Sequence, residues 1–134
     1  MNKNLVEEFL RNKNIFAIAG VSRDKRKYGY KIYISIKKAG YKVYPINPNT
    51  NEILGDRCYH SIKDLPEKPD VVVTVVPPKI TEQIVKQCKI LKIGKIWMQP
   101  GSESEKSINF CKLNNIKVVH DTCFIVNGLK EELD

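Results

Sequence analysis

The stretch of sequence that decides the fold is residues 14–29, NIFAIAGVSRDKRKYG. Its first six residues form a short apolar run that ends at Gly20, which is typical of a strand buried on both faces. After a polar loop, apolar residues recur near helical spacing from Tyr28 to Ala39, and Gly40 supplies a left-handed stop. Residues 41–46 predict a second strand. The order strand, helix, strand is the beginning of an α/β fold.

The same alternation continues along the chain. We predict further strands at residues 70–76, 95–99 and 117–119, and further helices at residues 3–12, 81–91 and 102–114. The first of these helices should cover an edge of the sheet, and the last should begin with a capping box made by Ser102 and Glu105. Buried strands that alternate with amphipathic helices indicate parallel pairing with right-handed crossovers. We therefore expect one doubly wound, Rossmann-like α/β domain over residues 1–134, with a five-stranded parallel sheet and helices on both faces.

The composition excludes several classes of protein. The chain has 134 residues, of which 42% are hydrophobic, so it can bury a core and is not disordered. No apolar run approaches the ~20 residues of a membrane helix, and residues 1–13 have no signal-peptide core, so we expect a cytoplasmic protein without membrane contact. The four cysteines form no CxxC pair and the chain has two histidines, so neither a metal site nor a disulfide framework is predicted.

The net charge of +8 is concentrated in the first half, where residues 1–67 carry 13 basic against 7 acidic residues. Most of it is explained by lysines on solvated faces, but the asymmetry justifies a search for an anion site. Ligands of open parallel sheets bind beyond the carboxyl ends of the strands. The loop after the first predicted strand is therefore the main candidate: it runs into a helix N-terminus, which favours phosphate, and it carries Lys25, Arg26 and Lys27. Gly20 should let the backbone approach a ligand, and Gly29 should let the helix pack tightly.

The loop after the second predicted strand argues against NAD. Dinucleotide folds place Asp or Glu there to hold the ribose hydroxyls, whereas this chain has Asn47 and Pro48. After the 70–76 strand, Val76, Pro77 and Pro78 offer apolar surface that could flank an adenine. The alternative is that the two prolines only end the strand and begin the next helix.

Eight motifs together resemble a known family. In chain order they are AIAGVS (17–22), YG (28–29), YPINPN (44–49), ILG (53–55), DLP (64–66), VPP (76–78), IWMQPGSESE (96–105) and HDTC (120–123). This set is similar to the stand-alone CoA-binding proteins, small Rossmann-like domains that resemble the nucleotide-binding domain of the succinyl-CoA synthetase alpha subunit. The likeness covers about residues 10–125.

The resemblance implies coenzyme A as the ligand. It puts the pyrophosphate near Gly20, Val21 and Ser22, the ribose and its 3′-phosphate near Asn47 and the basic loop, and the adenine beside the VPP motif. The implied binding residues are Gly20, Val21, Ser22, Lys25, Arg26, Lys27, Tyr28, Gly29, Asn47, Pro48, Val76, Pro77, Pro78, Gln99 and Gly101. Some relatives have Lys where this chain has Asn49, so an ion pair to the 3′-phosphate would fall to a cation of the basic loop.

The sequence favours one function and offers three alternatives to it. In the synthetase a separate domain supplies the phosphorylated histidine, so a non-catalytic binding, sensor or carrier module for CoA or an acyl-CoA is favoured. The first alternative is an enzyme acting on an acyl-CoA or nucleotide through Gln99, Ser102, His120 and Cys123, with the last two as base and nucleophile. An NAD(H)-binding redox sensor is the second, and nucleic-acid binding is disfavoured because no recognition module is evident. The sequence leaves open a homo-oligomer or an unidentified protein partner.

Overall fold

A computed structural model describes residues 3–129 of the chain. Its helices are α1 (Lys3–Phe9), α2 (Tyr28–Lys38), α3 (Pro78–Ile90) and α4 (Glu105–Leu113), and its strands are β1 (Ile15–Ala19), β2 (Lys42–Ile46), β3 (Glu52–Ile53), β4 (Asp56–Arg57), β5 (Val71–Thr74), β6 (Lys95–Met98) and β7 (Lys117–Val119). A single 3₁₀ turn covers Ile62–Asp64 and a π-helical turn covers Phe124–Gly128.

Five strands form one parallel sheet in the order β2-β1-β5-β6-β7, and β3 pairs with β4 in a separate antiparallel hairpin. From β1 the chain moves outward to β2, and it then returns to the other side of β1 to form β5. The sheet order therefore reverses between β1 and β5, which is where ligands of this fold bind. The predicted fold class, a doubly wound parallel α/β sheet, is confirmed.

The two faces of the sheet carry separate cores. Phe16 and Ile18 of β1 belong to a buried cluster with residues of α1 and α2. Ala17 and Ala19, which alternate with them, belong to a second cluster with residues of α3 and α4. Successive side chains of a strand point to opposite faces. The continuous apolar run at residues 15–19 is thus explained by burial on both sides.

Helix α1 is shorter than predicted and covers a face of the sheet as well as its end. It stops at Phe9, whose ring centre lies 6.1 Å from that of Trp97 on β6 in an edge-to-face contact. Glu8 also pairs with Lys117 of the edge strand β7 at 2.7 Å. The helix therefore completes the α2 side of the molecule over the strands that α2 leaves open.

Two predicted helix starts are wrong. Helix α3 begins at Pro78 and not at residue 81, because proline has the φ of a helix and needs no hydrogen-bond acceptor at the first position. Helix α4 is capped by Ser104, which exchanges hydrogen bonds with Ser107. Ser102 is unavailable as a cap, since its hydroxyl is buried between Thr74 and the carbonyl of Gln99.

No helix within residues 3–129 has the length and apolarity to cross a bilayer. The four cysteines are free thiols, and Cys58, Cys88 and Cys111 are buried.

Candidate functional site

A groove opens where the carboxyl ends of β1, β2 and β5 meet, at the point where the sheet order reverses. It consists of two clefts of about 440 Å³ each that share Gly20, Asn47 and Val75. The loop cleft is completed by Val21, Ser22, Arg26, Lys27, Tyr28 and Gly29. The apolar cleft is completed by Ala19, Ile46, Pro48, His60, Ser61, Ile62, Val76, Pro77, Ile80, Gln83, Ile84 and Gln87. Each cleft has the size of a small-molecule site.

The glycines of the loop cleft are required by contacts within the protein. Gly20 has φ +100°, and a Cβ atom there would lie 2.2 Å from the carbonyl oxygen of Val75. A Cβ on Gly29 would lie 2.1 Å from the carbonyl oxygen of Gly20. The first turn of α2, the loop after β1 and the end of β5 are therefore stacked without room for a methyl group. The tight packing expected at Gly29 is confirmed, whereas the approach of a ligand to the backbone at Gly20 stays a prediction.

The loop between β1 and α2 is folded onto Asp24. The Asp24 amide donates to Ser22 Oγ at 3.0 Å, and the Asp24 carboxylate accepts from the backbone N, Nε and Nη2 of Arg26, each at 3.0 Å. These bonds hold the pKa of the Asp24 carboxyl below its usual value. Arg26 lines the cleft, but an internal carboxylate already occupies its guanidinium.

Helix α2 begins in the loop cleft without a side-chain cap. Lys27 stands at the N-cap position and makes no capping hydrogen bond, so the first-turn N–H groups of the helix have no intrahelical acceptor and no side-chain cap. Tyr28 and Gly29 of that turn line the cleft. Lys25 and Lys27 are both exposed, and neither forms an ion pair within residues 3–129. Lys27 lines the cleft, whereas Lys25 does not. The arrangement offers unpaired donors and positive charge to an anion.

Asn47 forms the wall between the two clefts. Its Nδ2 donates to the carbonyl of Val21 at 2.8 Å, and its Oδ1 accepts from the amide of Asn49 at 2.8 Å. Its own amide donates to the carbonyl of Tyr59 at 2.9 Å. The side chain thus holds the loops after β1 and β2 together, and both ends of its amide are already engaged. Pro48 beside it is exposed and lines the apolar cleft.

The apolar cleft has two hydrophobic walls. One comes from the start of α3, with Val76, Pro77, Ile80 and Ile84, and the other from Ile46 and Ile62. None of the lining residues described is Lys, Arg, Asp or Glu, so a neutral group is favoured. Pro78 is not part of the lining and serves as the first residue of α3.

Sequence reasoning missed the wall that follows β4 and the outer face of α3. His60, Ser61 and Ile62 lie in and beside a single 3₁₀ turn, which is too short for any periodicity to reveal. The pair Ile80 and Ile84 had a signal, because residues four apart share one face of a helix.

Gln99 and Gly101 line none of the clefts described so far. Gln99 is buried: its Oε1 accepts from the Phe124 amide at 3.0 Å, and its Nε2 donates to Cys123 Sγ at 3.2 Å. Gly101 is exposed, and its amide donates to Glu103. These residues organise the turns after β6 and β7.

The base and nucleophile of the alternative enzyme function, His120 and Cys123, are not paired. His120 Nδ1 lies 2.6 Å from the carboxylate of Asp121, whereas the Cys123 thiol is held by Gln99. No hydrogen bond joins His120 to Cys123 among the residues that the structure describes.

Burial raises the pKa of the thiols of Cys88 and Cys111 to about 12, which keeps both protonated at neutral pH.

The sequence profile of the CoA binding domain matches residues 14–128. The chain belongs to this family. The family expected from the eight motifs is therefore confirmed.

Three proteins are similar to this chain over 70% or more of its length. It is 39% identical to an ADP-forming acetate–CoA ligase of Methanocaldococcus jannaschii over 115 residues, which are 80% of this chain and 16% of the ligase. It is also 39% identical over 99 residues to ADP-forming acetate–CoA ligase II of Archaeoglobus fulgidus, covering 70% of this chain and 15% of that one. The chain thus spans about one sixth of these curated relatives' length. A solved conserved hypothetical protein of Pyrococcus furiosus is 37% identical, has a TM-score of 0.80, and the match covers 84% of this chain and 97% of that one.

Proposed function

We propose that this protein binds coenzyme A or an acyl-CoA in the groove formed by the loop cleft and the apolar cleft. The observation that carries the proposal is the pairing of two unlike clefts at the reversal point of the sheet. One presents an uncapped helix N-terminus with an unpaired lysine, and the other is neutral and apolar. CoA has a matching division into phosphates and an adenine ring.

The pyrophosphate is assigned to the loop cleft. The first-turn N–H groups of α2 donate to its oxygens, and the positive end of the helix dipole favours its charge. Ser22 Oγ accepts one internal hydrogen bond and keeps its own proton for a phosphate oxygen. Lys27 adds a formal charge at the mouth of the cleft.

The adenine is assigned to the apolar cleft, between Val76 and Pro77 on one side and the Ile46 and Ile62 wall on the other. The ribose then lies at the junction beside Asn47. That side chain acts by fixing the junction, because both ends of its amide are engaged within the protein.

The proposed role is a binding, sensor or carrier module. The relatives named as ligases are about six times as long as this match. In the groove, the Ser61 hydroxyl donates to Asp64 and the His60 ring contacts Asn51, so this hydroxyl and this imidazole are not hydrogen-bonded to each other.

Of the residues that would serve an enzyme, Gln99 donates to Cys123 Sγ and accepts from Ser102 at its carbonyl. His120 contacts Asp121 instead, and no hydrogen bond joins it to Cys123 within residues 3–129.

The lysine of the loop cleft provides the test of this binding site. Lys27→Ala should weaken CoA binding about three- to tenfold, since one charged contact to phosphate is lost at an exposed position. Lys38→Ala is the matched control, because Lys38 is an exposed lysine at the opposite end of the same helix. Isothermal titration calorimetry at fixed ionic strength measures both. If the Lys27 and Lys38 variants bound CoA with equal affinity, the assignment of the pyrophosphate to the loop cleft would be wrong.

A further inference from the structure

A third cleft continues the groove on the β2 side. This polar cleft has a volume of about 420 Å³ and is lined by Asn51, Arg57, Cys58, Tyr59, His60 and Asp64. It meets the apolar cleft at His60, which lines both. Cys58 and Tyr59 follow the hairpin of β3 and β4, and hydrogen bonds from Tyr59 to Pro45 and from Asn47 to Tyr59 tie this segment to the end of β2. The cleft therefore lies next to the junction at which the ribose is placed.

The polar cleft is supplied with positive charge. The guanidinium of Arg57 lies over the ring of Tyr59, 5.0 Å from its centre, and Arg57 makes no ion pair within residues 3–129. His60 Nε2 is 2.7 Å from Asn51 Oδ1, a contact that holds the ring where the polar and apolar clefts meet. The charge of Arg23 reaches the Cys58 thiol in the cleft wall, where it opposes the rise in that thiol's pKa that burial causes.

The positions that should hold a phosphate on the ribose are not suited to it. Asn49 has no charge, and its amide is bonded to Asn47 Oδ1. Arg26 is occupied by Asp24 through both its backbone and its guanidinium. Of the basic loop, Lys27 alone is an unpaired cation that lines a cleft, and it lies at the helix N-terminus where the pyrophosphate is assigned.

We infer that the polar cleft, through Arg57 and His60, receives the 3′-phosphate of the ligand and makes the protein selective for CoA over its dephosphorylated form. This inference rests on the proposed function and names the residues that set its specificity. The ribose is assigned to the junction beside Asn47, whose amide bonds the carbonyl of Tyr59 in the wall of the polar cleft. A phosphate on that ribose is therefore directed past His60 toward Arg57. A phosphate monoester carries about −1.5 to −2 charges at neutral pH and forms charge-assisted hydrogen bonds with such groups.

Asp64 provides a test of opposite sign. Its carboxylate lies in the same cleft and accepts a hydrogen bond from Ser61 Oγ at 2.9 Å. An anion there repels the phosphate. Asp64→Asn keeps an acceptor for Ser61 and should strengthen binding of CoA while leaving dephospho-CoA unaffected, a gain that structural damage does not produce.

The experiment is calorimetric titration of the full chain with CoA and with dephospho-CoA at one ionic strength. Wild-type protein should prefer CoA by about ten- to hundredfold, the range of one or two charge-assisted hydrogen bonds. Arg57→Met keeps the aliphatic stem over Tyr59 and should abolish most of that preference by weakening CoA alone, and His60→Ala should act in the same direction. Lys63→Ala, which removes an exposed charge outside the cleft, should change neither affinity.

The outcomes separate this inference from the function it rests on. Lys27→Ala should weaken both ligands by the same factor, because both contain the pyrophosphate. If CoA binds and the preference for it is unchanged in Arg57→Met and Asp64→Asn, the 3′-phosphate lies elsewhere and the inference is wrong. If the variants lose affinity for both ligands equally, Arg57 has only a structural role and the inference is also wrong. If wild-type protein binds neither ligand, the proposed function fails and the inference fails with it.

Discussion

Gly20 and Gly29 suggest a ligand site in the sequence, and in the structure both are required by close contacts within the protein. Their lack of a side chain allows the loop after β1 to lie against both β5 and the first turn of α2. The resulting stack places the uncapped N–H groups of α2 beside the reversal point of the sheet. The glycines therefore form one wall of the loop cleft, next to the helix N-terminus at which we propose the pyrophosphate binds.

Replacing Gly20 by alanine should destabilise the protein by more than about 3 kcal/mol, since both a positive φ and a backbone clash must be relieved. Gly101→Ala is a matched control: Gly101 has φ +95°, but a Cβ there meets no atom within 4 Å. It should cost only the backbone strain, about 1–2 kcal/mol. Urea unfolding measures both changes. Equal losses would show that the contact with Val75 gives way freely.

The four thiols should differ sharply in reactivity. Cys88 and Cys111 are fully buried with pKa values near 12, and burial also raises the pKa of Cys58. Cys123 is partly exposed. One equivalent of a thiol reagent should therefore react quickly in the folded protein at pH 8, and Cys123→Ser should remove that fast phase. Fast labelling that persists in Cys123→Ser would mean that one of the buried thiols opens readily to solvent.

At the scale of elements, the β3–β4 hairpin is held to α2 by one carboxylate. Asp56 accepts a hydrogen bond from the Tyr33 hydroxyl at 2.6 Å and pairs with Lys37. The ion pair and hydrogen bond lower the pKa of Asp56, while burial and the same contact raise the pKa of Tyr33. Since this hairpin leads into the polar cleft, Asp56 fixes the wall of the site by fixing the element before it.

This ion pair has a defined pH dependence. A carboxyl whose pKa is lowered on folding stabilises the protein above its ordinary pKa, near 3.8, and loses that contribution as the pH falls toward its folded value. Asp56→Asn should therefore lower the melting temperature at pH 7 and flatten its fall between about pH 5 and pH 3. Asp64→Asn is the control, because Asp64 bonds only Ser61 within the described residues. Equal slopes of melting temperature against pH for wild type and Asp56→Asn across that range would contradict this account.

Hydrophobic periodicity predicts a helix or strand well when the burial of its residues depends only on that helix or strand. The apolar runs of β1 and β5 are buried on both faces, so their sequence is explained by the sheet alone. The start of α4 could not be read the same way. Ser102 and Ser104 both fit a cap, and the choice depends on Thr74, a residue 28 positions away that bonds Ser102. Long-range contacts of this kind leave no local pattern.

The candidate site divides in the same manner. Gly20, Ser22 and Gly29 could be picked out because a glycine-containing loop between a strand and a helix has a known physical use. The lining by His60 and Arg57 follows from a hairpin of two-residue strands and a single turn, whose place beside β2 is fixed by tertiary hydrogen bonds. Gln99 was selected for its position after β6, but its amide is used internally.

At the scale of the whole molecule, two residues of the positively charged excess line the clefts of the candidate site. Lys27 at the start of α2 and Arg57 in the polar cleft are unpaired within residues 3–129 and lie along one groove. Between them lies a neutral, apolar cleft. This sequence of charge, apolar surface and charge matches a ligand with phosphates on both sides of a nucleoside, which is the chemistry of CoA.

The most direct test of the central claim is calorimetric titration of the full chain with CoA, with NAD as the competing dinucleotide. We predict saturable, one-to-one binding of CoA and an affinity for NAD at least tenfold weaker, because NAD lacks the 3′-phosphate and Asn47 offers its ribose no carboxylate. The melting temperature should rise with CoA concentration, as linkage requires. Tighter binding of NAD than of CoA, or no heat and no melting shift with CoA, would contradict the account.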